Sequence, residues 1–571
     1  KMRLVLDIET NLAHTKIWLV CTKNIDTGEK RTWKEASSLS AYLKDATQLI
    51  GQNILAFDAP MLKAIWRIEI PTNLLYDTLI VSRLLEPSRE NGHSLEAWGN
   101  SLGCQKTSYS GAWQWLKGRR EEYKGECFDS PHLGLLASYC QQDCEVTSLL
   151  YLKLVNDLNE KQFSEESVAL EHEVALIIEE QVRNGFKLDI PYATCLLTDI
   201  KGKLDALYEQ MQERWPPVVV KRTSDKTGKP LKDGVATFNP ASRKQIGEKL
   251  IELGWCPDKH TENGQPIVDE GVLSKIDLPE AAPIVEYLML QKRVAQIESW
   301  LEAVGKDGRV HGKVMTNGAV TGRMTHSSPN MAQIPNAGSV YGPECRECWT
   351  VEDGQVLVGI DASGLELRML AHYMKDINYV RTVCEGSSKD GTDVHTINQR
   401  AAGLLTRDSA KTFIYAFLYG AGDAKIGSIV GGNSRKGGEL KKRFLSQTPA
   451  LAKLIARVAS YAAKGDVPGL DGRKIWIRSE HAALNSLLQG AGAIVMKKAL
   501  CLFYNKCKEN LWPIKLVANV HDEIQLETSE KYAIIVGEAA VQSIVEAGEH
   551  FGLRCPLNGE YKIGRNWRET H

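Results

Sequence analysis

In the segment RLVLDIET, Asp7 and Glu9 stand two residues apart on an apolar, β-patterned stretch, so both carboxylates project from one face of one strand. Two acids so placed repel one another and resist ionisation, whereas divalent cations take such oxygen ligands readily. The plainer alternative is a strand whose acids reach solvent. GQNILAFDAPMLK adds Asp58, and SYCQQDCEV adds Tyr139 and Asp143, which share a helix face at a spacing of four. Four carboxylates and a phenol suit metal-assisted phosphodiester hydrolysis. There, paired ions make a nucleophile at neutral pH and neutralise charge at both in-line oxygens.

A second acidic group is spread more widely. The apolar run QVLVGI delivers Asp361 at a strand end, and LVANVHDEIQLE reads as two short strands meeting at His521-Asp522, a hairpin tip that pushes a carboxylate out of the sheet. Acids at such turns are ordinary solubility devices when they occur alone. Between the two lies RDSAKTFIYAFLYG, where Arg407, Lys411, Tyr415 and Tyr419 recur every four residues and form one drifting stripe along a helix. Two cations followed by two aromatic rings suit a triphosphate followed by a sugar and base. A cationic surface stripe above core aromatics is the bland reading, which the flanking carboxylates weigh against.

The elements that must hold these groups are visible in outline. The first ~150 residues mix strand-like runs (LVLDIE, IWLVCT) with helices and read as an α/β unit. From about Val168 to Trp300 long amphipathic helices dominate, one stopping at Gly185 and another at Pro216-Pro217, which predicts a helical arm. KRTSDKTGKPLKDG, with Lys221, Arg222, Lys226, Lys229 and Lys232, reads as an exposed cationic loop. The remainder alternates strands with helices, an α+β pattern with an antiparallel element.

At 571 residues with 43% hydrophobic side chains, the chain holds material for several cores, since single cores stop growing near ~300 residues. Its 70 Lys+Arg against 71 Asp+Glu exclude an overall basic signature, so any nucleic-acid surface must be local. Cys345 and Cys348 form a lone C-x-x-C pair without the further ligands of a structural zinc site, and Cys140 and Cys144 read as small buried thiols. No signal-peptide pattern opens the chain and no run of some eighteen uncharged apolar residues occurs, so a cytoplasmic protein with no membrane contact is expected.

The first acidic group resembles the proofreading exonuclease family, whose motifs D-x-E, N-x-x-x-F-D and Y-x-x-x-D are matched by Asp7/Glu9, Asn53/Phe57/Asp58 and Tyr139/Asp143. The resemblance implies an RNase H-like α/β domain in which Asp7, Glu9, Asp58 and Asp143 hold two divalent ions and Tyr139 orients the attacking water. The second group resembles family A DNA polymerases. Motif A is Asp361-Ala-Ser-Gly-Leu-Glu366-Leu-Arg368, motif B runs from Arg407 through Lys411 and Tyr415 to Tyr419-Gly420, and motif C is Val520-His521-Asp522-Glu523. TGRMTHSSPNMAQIP, RSEHAALNSLLQGAGA and the ending GRNWRETH extend the match, which most resembles the replicative polymerases of T-seven-like phages.

What this implies is a right-hand polymerase with an α+β palm and helical thumb and fingers. The expected divisions are 1–160 for the exonuclease, 161–310 for the thumb, 311–380 with 468–571 for the palm and 381–467 for the fingers. Asp361, Asp522 and the Ala362 carbonyl would hold two Mg2+ ions, with Mn2+ as a possible substitute. Glu366 would lie beneath the incoming sugar and exclude a ribose 2′-hydroxyl. Lys411, Arg407 and His395 would hold the triphosphate, and Lys411 would protonate the departing pyrophosphate. Arg323, Gln489 and Asn485 would touch primer-template DNA, where minor-groove acceptors are common to all correct pairs. His521 would approach the primer end and Tyr419 the templating base. Tyr415 stands where other members carry phenylalanine, and its hydroxyl would substitute for a missing sugar 3′-hydroxyl, which predicts ready use of dideoxynucleotides.

Two departures from the family matter. The chain begins at the proofreading motif, leaving no room for the 5′-nuclease domain of bacterial repair polymerases, which favours replication over repair. T-seven-like polymerases carry a long thumb insertion that recruits host thioredoxin; only the short Val218 to Ala236 stretch stands there, so no thioredoxin dependence is expected. A helicase-primase and a single-strand binding protein are the partners such a monomeric enzyme would meet. Rival readings are a repair polymerase, a non-catalytic DNA-binding scaffold, which the full set of carboxylates opposes, and a single-subunit RNA polymerase, which would need neither Glu366 nor a proofreading site.

Overall fold

The computed structural model describes residues 2–120, 123–223 and 230–571. The N-terminal layer is a mixed sheet of β1 (Arg3–Thr10), β2 (Ile17–Asn24), β3 (Lys30–Trp33), β4 (Gln48–Gly51) and β5 (Leu75–Asp77), in the spatial order β3-β2-β1-β4-β5. β1 is antiparallel to β2 and parallel to β4, and β4 is parallel to β5. Period-two alternation along β1 decides what each face holds. Leu4, Leu6 and Ile8 enter a core with Leu39, Leu49 and Ile54, whereas Val5 packs with Leu136, Cys140 and Cys144 of the Leu133–Glu160 helix. Asp7 and Glu9 share the parity of Val5 and so face that helix.

The Leu133–Glu160 helix buries Leu136, Cys140, Asp143, Thr147, Leu150 and Leu154, steps of three and four that form one stripe. The Glu165–Asn184 helix follows and ends where Gly185 adopts a left-handed φ of 63°, a conformation that costs a residue without Cβ nothing. Its inward face carries a carboxylate, Glu171, with no exposed surface. Oε1 of Glu171 accepts from Arg473 Nη1 at 2.5 Å and from Lys497 Nζ at 2.7 Å, and Arg473 also grips Asp471 through Nε and Nη2 at 2.9 and 2.7 Å. Two anions and two cations thus neutralise each other out of water, the condition under which such a cluster is tolerated.

A second sheet runs in the order Ile514–Val520, Glu523–Ser529, Gln355–Ala362, Gly559–Gly564. The first two strands form a hairpin whose register pairs Val520 with Glu523, so His521-Asp522 is a two-residue tip, and His521 takes the left-handed φ of 57°. The Ala483–Glu509 helix packs on the Glu165–Asn184 and Glu530–His550 helices. Among the described residues, the stretch Glu480–Glu509 containing it is the one helix long and apolar enough to cross a membrane, and 83% of its apolar window is buried inside the protein, as a core helix requires. Six helices between Ile377 and Ala462 follow the strand of Asp361 and the Leu365–Met374 helix, with Phe413, Phe417 and Phe444 in mutual ring contact at 5.1–5.9 Å.

Contacts divide the chain into two compact units. One comprises Lys1–Asn184, Val314–His326 and Val358–Ile563 and contains everything described above except Gly185 and the margins of two strands. The other comprises Gly185–Lys313, Ser327–Leu357 and Gly564–His571. In it the Ile190–Arg214 and Ala281–Ala303 helices pack together, Met211, Trp215, Phe238, Ile246 and Ile284 form a core, and Phe186, Trp300, Trp349 and Trp567 make a chain of ring contacts. Cys345 and Cys348 are both buried there, and burial pushes the Cys345 thiol up to about 12, the behaviour of inert core thiols rather than metal ligands.

The cationic segment expected to be a loop is different. Val218–Thr223 and Pro230–Ala236 pair as antiparallel strands, Val219 opposite Val235, while Lys226 and Lys229 lie outside the described residues. Val218, Val219 and Val235 are all more than 60% exposed, so neither face is buried and the alternation that normally reveals a strand is missing.

Candidate active sites

At the first site the facing of β1 and the Leu133–Glu160 helix brings the predicted residues together. Cys140 Sγ lies 3.2 Å from Asp7 Oδ2, and Asp7, Glu9 and Cys140 each place a potential ligand atom within 4.8 Å of the others. Asp58 joins from the turn after β4, its Oδ1 accepting from the Ile8 backbone N–H at 3.1 Å. That turn is built by a residue the motifs do not contain. Asp77, at the end of β5, accepts from the N–H groups of Asn53 at 2.9 Å and Leu55 at 3.2 Å, holding Asn53 at a left-handed φ of 66°.

Tyr139 and Asp143 stand one helical turn apart and are bridged by Lys106. Its ammonium is 2.7 Å from Asp143 Oδ2 and donates to the Tyr139 hydroxyl at 3.0 Å. No motif pointed to Lys106, since a single lysine between two segments carries no spacing signal. Burial and then the Asp143 charge lift Asp7 to about 7; burial and then repulsion from Asp7 and Asp143 lift Glu9 to about 10. Asp58 is likewise raised by burial and by Asp7, and Asp143 is raised by burial against the opposing pull of Lys106. Asp143 Oδ1 is buried without a hydrogen-bond partner among the described residues. Hard oxygen donors that destabilise one another and leave an orphaned acceptor fit a divalent cation.

At the second site the strand Gln355–Ala362 and the hairpin tip are tied through the main chain. The Ala362 N–H donates to the Asp522 carbonyl at 3.1 Å, which sets the residue after Asp361 against the residue that carries the second carboxylate. Gly364 follows with a left-handed φ of 55° to start the Leu365–Met374 helix, and Arg368 Nε reaches back to the Ser363 carbonyl at 2.9 Å to brace the turn. Burial raises the Asp522 carboxyl above its ordinary range, partly opposed by Arg323 and His521. This oxygen donor set suits a hard divalent ion as the first does.

Near Asp522 the structure brings together Arg323, His521, Glu366, Tyr415 and Tyr419, linked to it or to one another by charge or hydrogen bonds. Glu366 accepts from the Tyr419 hydroxyl at 3.1 and 3.0 Å and lies 3.4 Å from Arg323 Nη2. Tyr419 is the residue just after the Arg407–Leu418 helix, and burial followed by the Glu366 charge pushes its phenol up to about 12. Its hydroxyl therefore rests on the residue expected beneath the sugar. His521 is lowered by burial and by Arg323, and the nearby His326 to about 4 by burial and then His521, so both rings are neutral near pH 7. Lys411 is exposed, and Tyr415 is half-buried with its ring centroid 6.2 Å from that of His395. Arg407 is held by Asp393, its Nη2 2.8 Å from Oδ2. Asn485 and Gln489 stand one turn apart, half-buried, on the Ala483–Glu509 helix.

Comparison with known proteins identifies the family and the fold. The family model described as DNA polymerase family A matches residues 220–569. The DNA-directed DNA polymerase of Escherichia phage T7 is 34% identical over 711 aligned positions covering all of both chains, and that of Enterobacteria phage T3 is 35% identical over 94% of each. Among solved structures, the POL domain of Pol1 from M. smegmatis, in complex with DNA primer-template and dNTP, matches with a TM-score of 0.76 and 17% identity, covering all of this chain and 96% of that one.

Proposed function

From the premise that this chain belongs to DNA polymerase family A and is a DNA-directed DNA polymerase, we propose that it copies a phage genome in the host cytoplasm and removes its own errors at a 3′-to-5′ exonuclease site. The right-hand polymerase is preceded by an RNase H-like sheet, and it is that sheet which carries the proposed second activity. The supporting observation is the convergence of Asp7, Glu9, Asp58 and Asp143, all raised by burial, beside Tyr139 and an orphaned Asp143 oxygen. Residues 1–160 are proposed as the nuclease, with thumb, palm and fingers divided as the sequence suggests.

Enzymes of this family use divalent metal ions; two Mg2+ per site are proposed, held by Asp361, Asp522 and the Ala362 carbonyl at one site and by the four acids of the sheet at the other. When bound, such ions neutralise charge on the attacking and leaving oxygens of an in-line displacement. The protein's own groups supply the rest. Lys411 and Arg407 meet the triphosphate, with Lys411 giving its proton to the pyrophosphate. Glu366 closes the space beneath the sugar C2′ and Tyr415 presents its hydroxyl near C3′, once Tyr419 has moved off the Glu366 carboxylate. Arg323, Gln489 and Asn485 test the shape of the terminal pair from the minor groove, and His521 meets the primer end. At the sheet, Tyr139 positions a water and Lys106 positions Tyr139 and Asp143.

One gel tests both activities. A labelled primer-template is incubated with Mg2+, with and without deoxynucleotides, comparing the chain with Asp361→Ala and Asp7→Ala. Extension is expected to vanish only in the first and primer degradation only in the second; degradation surviving in Asp7→Ala would remove the exonuclease assignment.

A further inference from the structure

The stripe Arg407-Lys411-Tyr415 does not orient itself. Asp393 stands at the N-cap of the Val394–Ala402 helix, with 7% of its surface exposed, and its two oxygens serve three different groups. Oδ2 accepts from the His395 N–H at 3.2 Å, Oδ1 accepts from the Thr396 hydroxyl at 2.5 Å, and Oδ2 also receives Arg407 Nε at 3.0 Å and Nη2 at 2.8 Å. One carboxylate therefore fixes the start of the helix that carries His395 and, across to the first residue of the next helix, the guanidinium of Arg407. Those are two of the three groups assigned to the triphosphate. The third, Lys411, lies one turn along from Arg407.

The guanidinium is planar, so a carboxylate on its Nε–Nη2 edge dictates where the Nη1 side points. Asp393 is 10% exposed at its side chain and Arg407 40%, so the anchoring end is enclosed while the presenting end remains open to solvent. An arginine on a flexible stem loses rotamer freedom when it captures a phosphate; one already held loses less, and affinity gains accordingly. We propose that Asp393 is a positioning residue for nucleotide binding: it holds Arg407 and the His395 helix start in the arrangement that receives a deoxynucleoside triphosphate. This rests on the reading that Arg407 contacts the triphosphate.

Asp393→Ser retains an oxygen able to cap the helix but cannot hold the guanidinium edge; Asp393→Asn retains shape and cap while losing the charge. Steady-state single-nucleotide insertion by the full chain gives KM for the nucleotide and kcat for both variants, for Arg407→Ala and for the double variant Asp393→Ser/Arg407→Ala, with thermal unfolding alongside. Arg407→Ala is expected to raise KM about tenfold. Asp393→Ser should raise it about fivefold with kcat within about twofold, Asp393→Asn less, and the Asp393 effect should vanish in the Arg407→Ala background. Should Asp393→Ser fail to fold, Asp393→Asn carries the same cycle. A fall in KM would mean that Asp393 competes with the triphosphate, and an unchanged KM, or an effect persisting without Arg407, would mean a structural cap only. Any of these overturns the inference while leaving the clamp reading intact. An unchanged KM in Arg407→Ala would instead remove the clamp reading, and the inference with it.

Discussion

Glu9 is an acid whose surroundings work against its charge. It is 8% exposed, and burial together with Asp7 and Asp143 lifts it to about 10 from an ordinary 4.5. A carboxyl raised in the folded state takes up a proton on folding, so its favourable contribution is complete below about pH 4.5 and is lost as pH rises toward about 10. In EDTA, the melting temperature should therefore fall between about pH 5 and about pH 9, and Glu9→Gln should flatten that fall and gain on the order of 1–2 kcal/mol at about pH 8. Mg2+ should recover the loss in the parent chain and do less for the variant, since the ion binds the ionised acids. A calorimetric pH series with and without Mg2+ checks this, and a Glu9→Gln curve parallel to the parent's would refute it. Residues of this kind were legible in sequence because chemistry imposes their spacing. Lys106, Asp77 and Asp393 were not: each acts on a partner distant in sequence, and no periodicity marks a lone polar residue whose role is to hold another.

Among the elements, the Glu165–Asn184 helix contributes the carboxylate of a buried charge cluster. Glu171 accepts from both Arg473 Nη1 and Lys497 Nζ, and all three are buried. Glu171→Ala removes the acceptor that those two buried cations share and should cost about 3–5 kcal/mol. Urea unfolding followed by circular dichroism would register it as a lower midpoint; a shift below about 1 kcal/mol would show that water reaches the cluster and screens it. The Leu133–Glu160 helix followed from its single buried stripe, and β1, β2 and the strands of Asp361 and Asp522 from short apolar runs that are buried on both faces. Val218–Thr223 and Pro230–Ala236 escaped because their valines are exposed and glycine, proline and lysine interrupt them, so the hairpin holds by main-chain pairing that leaves no mark on the hydrophobic pattern.

At the scale of the whole molecule, a formal charge of −1 means that DNA must be met by local cationic ground. The strand pair Val218–Thr223 and Pro230–Ala236 carries exposed Lys221 and Lys232, and the resemblance to T-seven-like polymerases leads us to propose that it stands in place of their thioredoxin-binding insertion. The alignment with the phage T7 enzyme runs over 711 positions against 571 residues here, so that relative holds segments this chain lacks. Reduced thioredoxin is accordingly expected to leave extension lengths on a primed single-stranded circle unchanged within about twofold. Charge-neutralising Lys221→Ala with Lys232→Ala should shorten them as salt is raised, lowering the salt slope of binding by about 2. A large thioredoxin stimulation would assign the hairpin a partner other than DNA.

The bond from the Ala362 N–H to the Asp522 carbonyl uses only main-chain atoms. Changing the side chain of Asp361 or Asp522 therefore leaves the tie between the two strands in place, so under the proposed function a chain inactivated at Asp522 is expected to stay folded and to occupy primer ends. In a cell producing both forms, such a protein would be a genetic poison: each primer it covers is withheld from the active copies, and inactivity would be dominant rather than recessive.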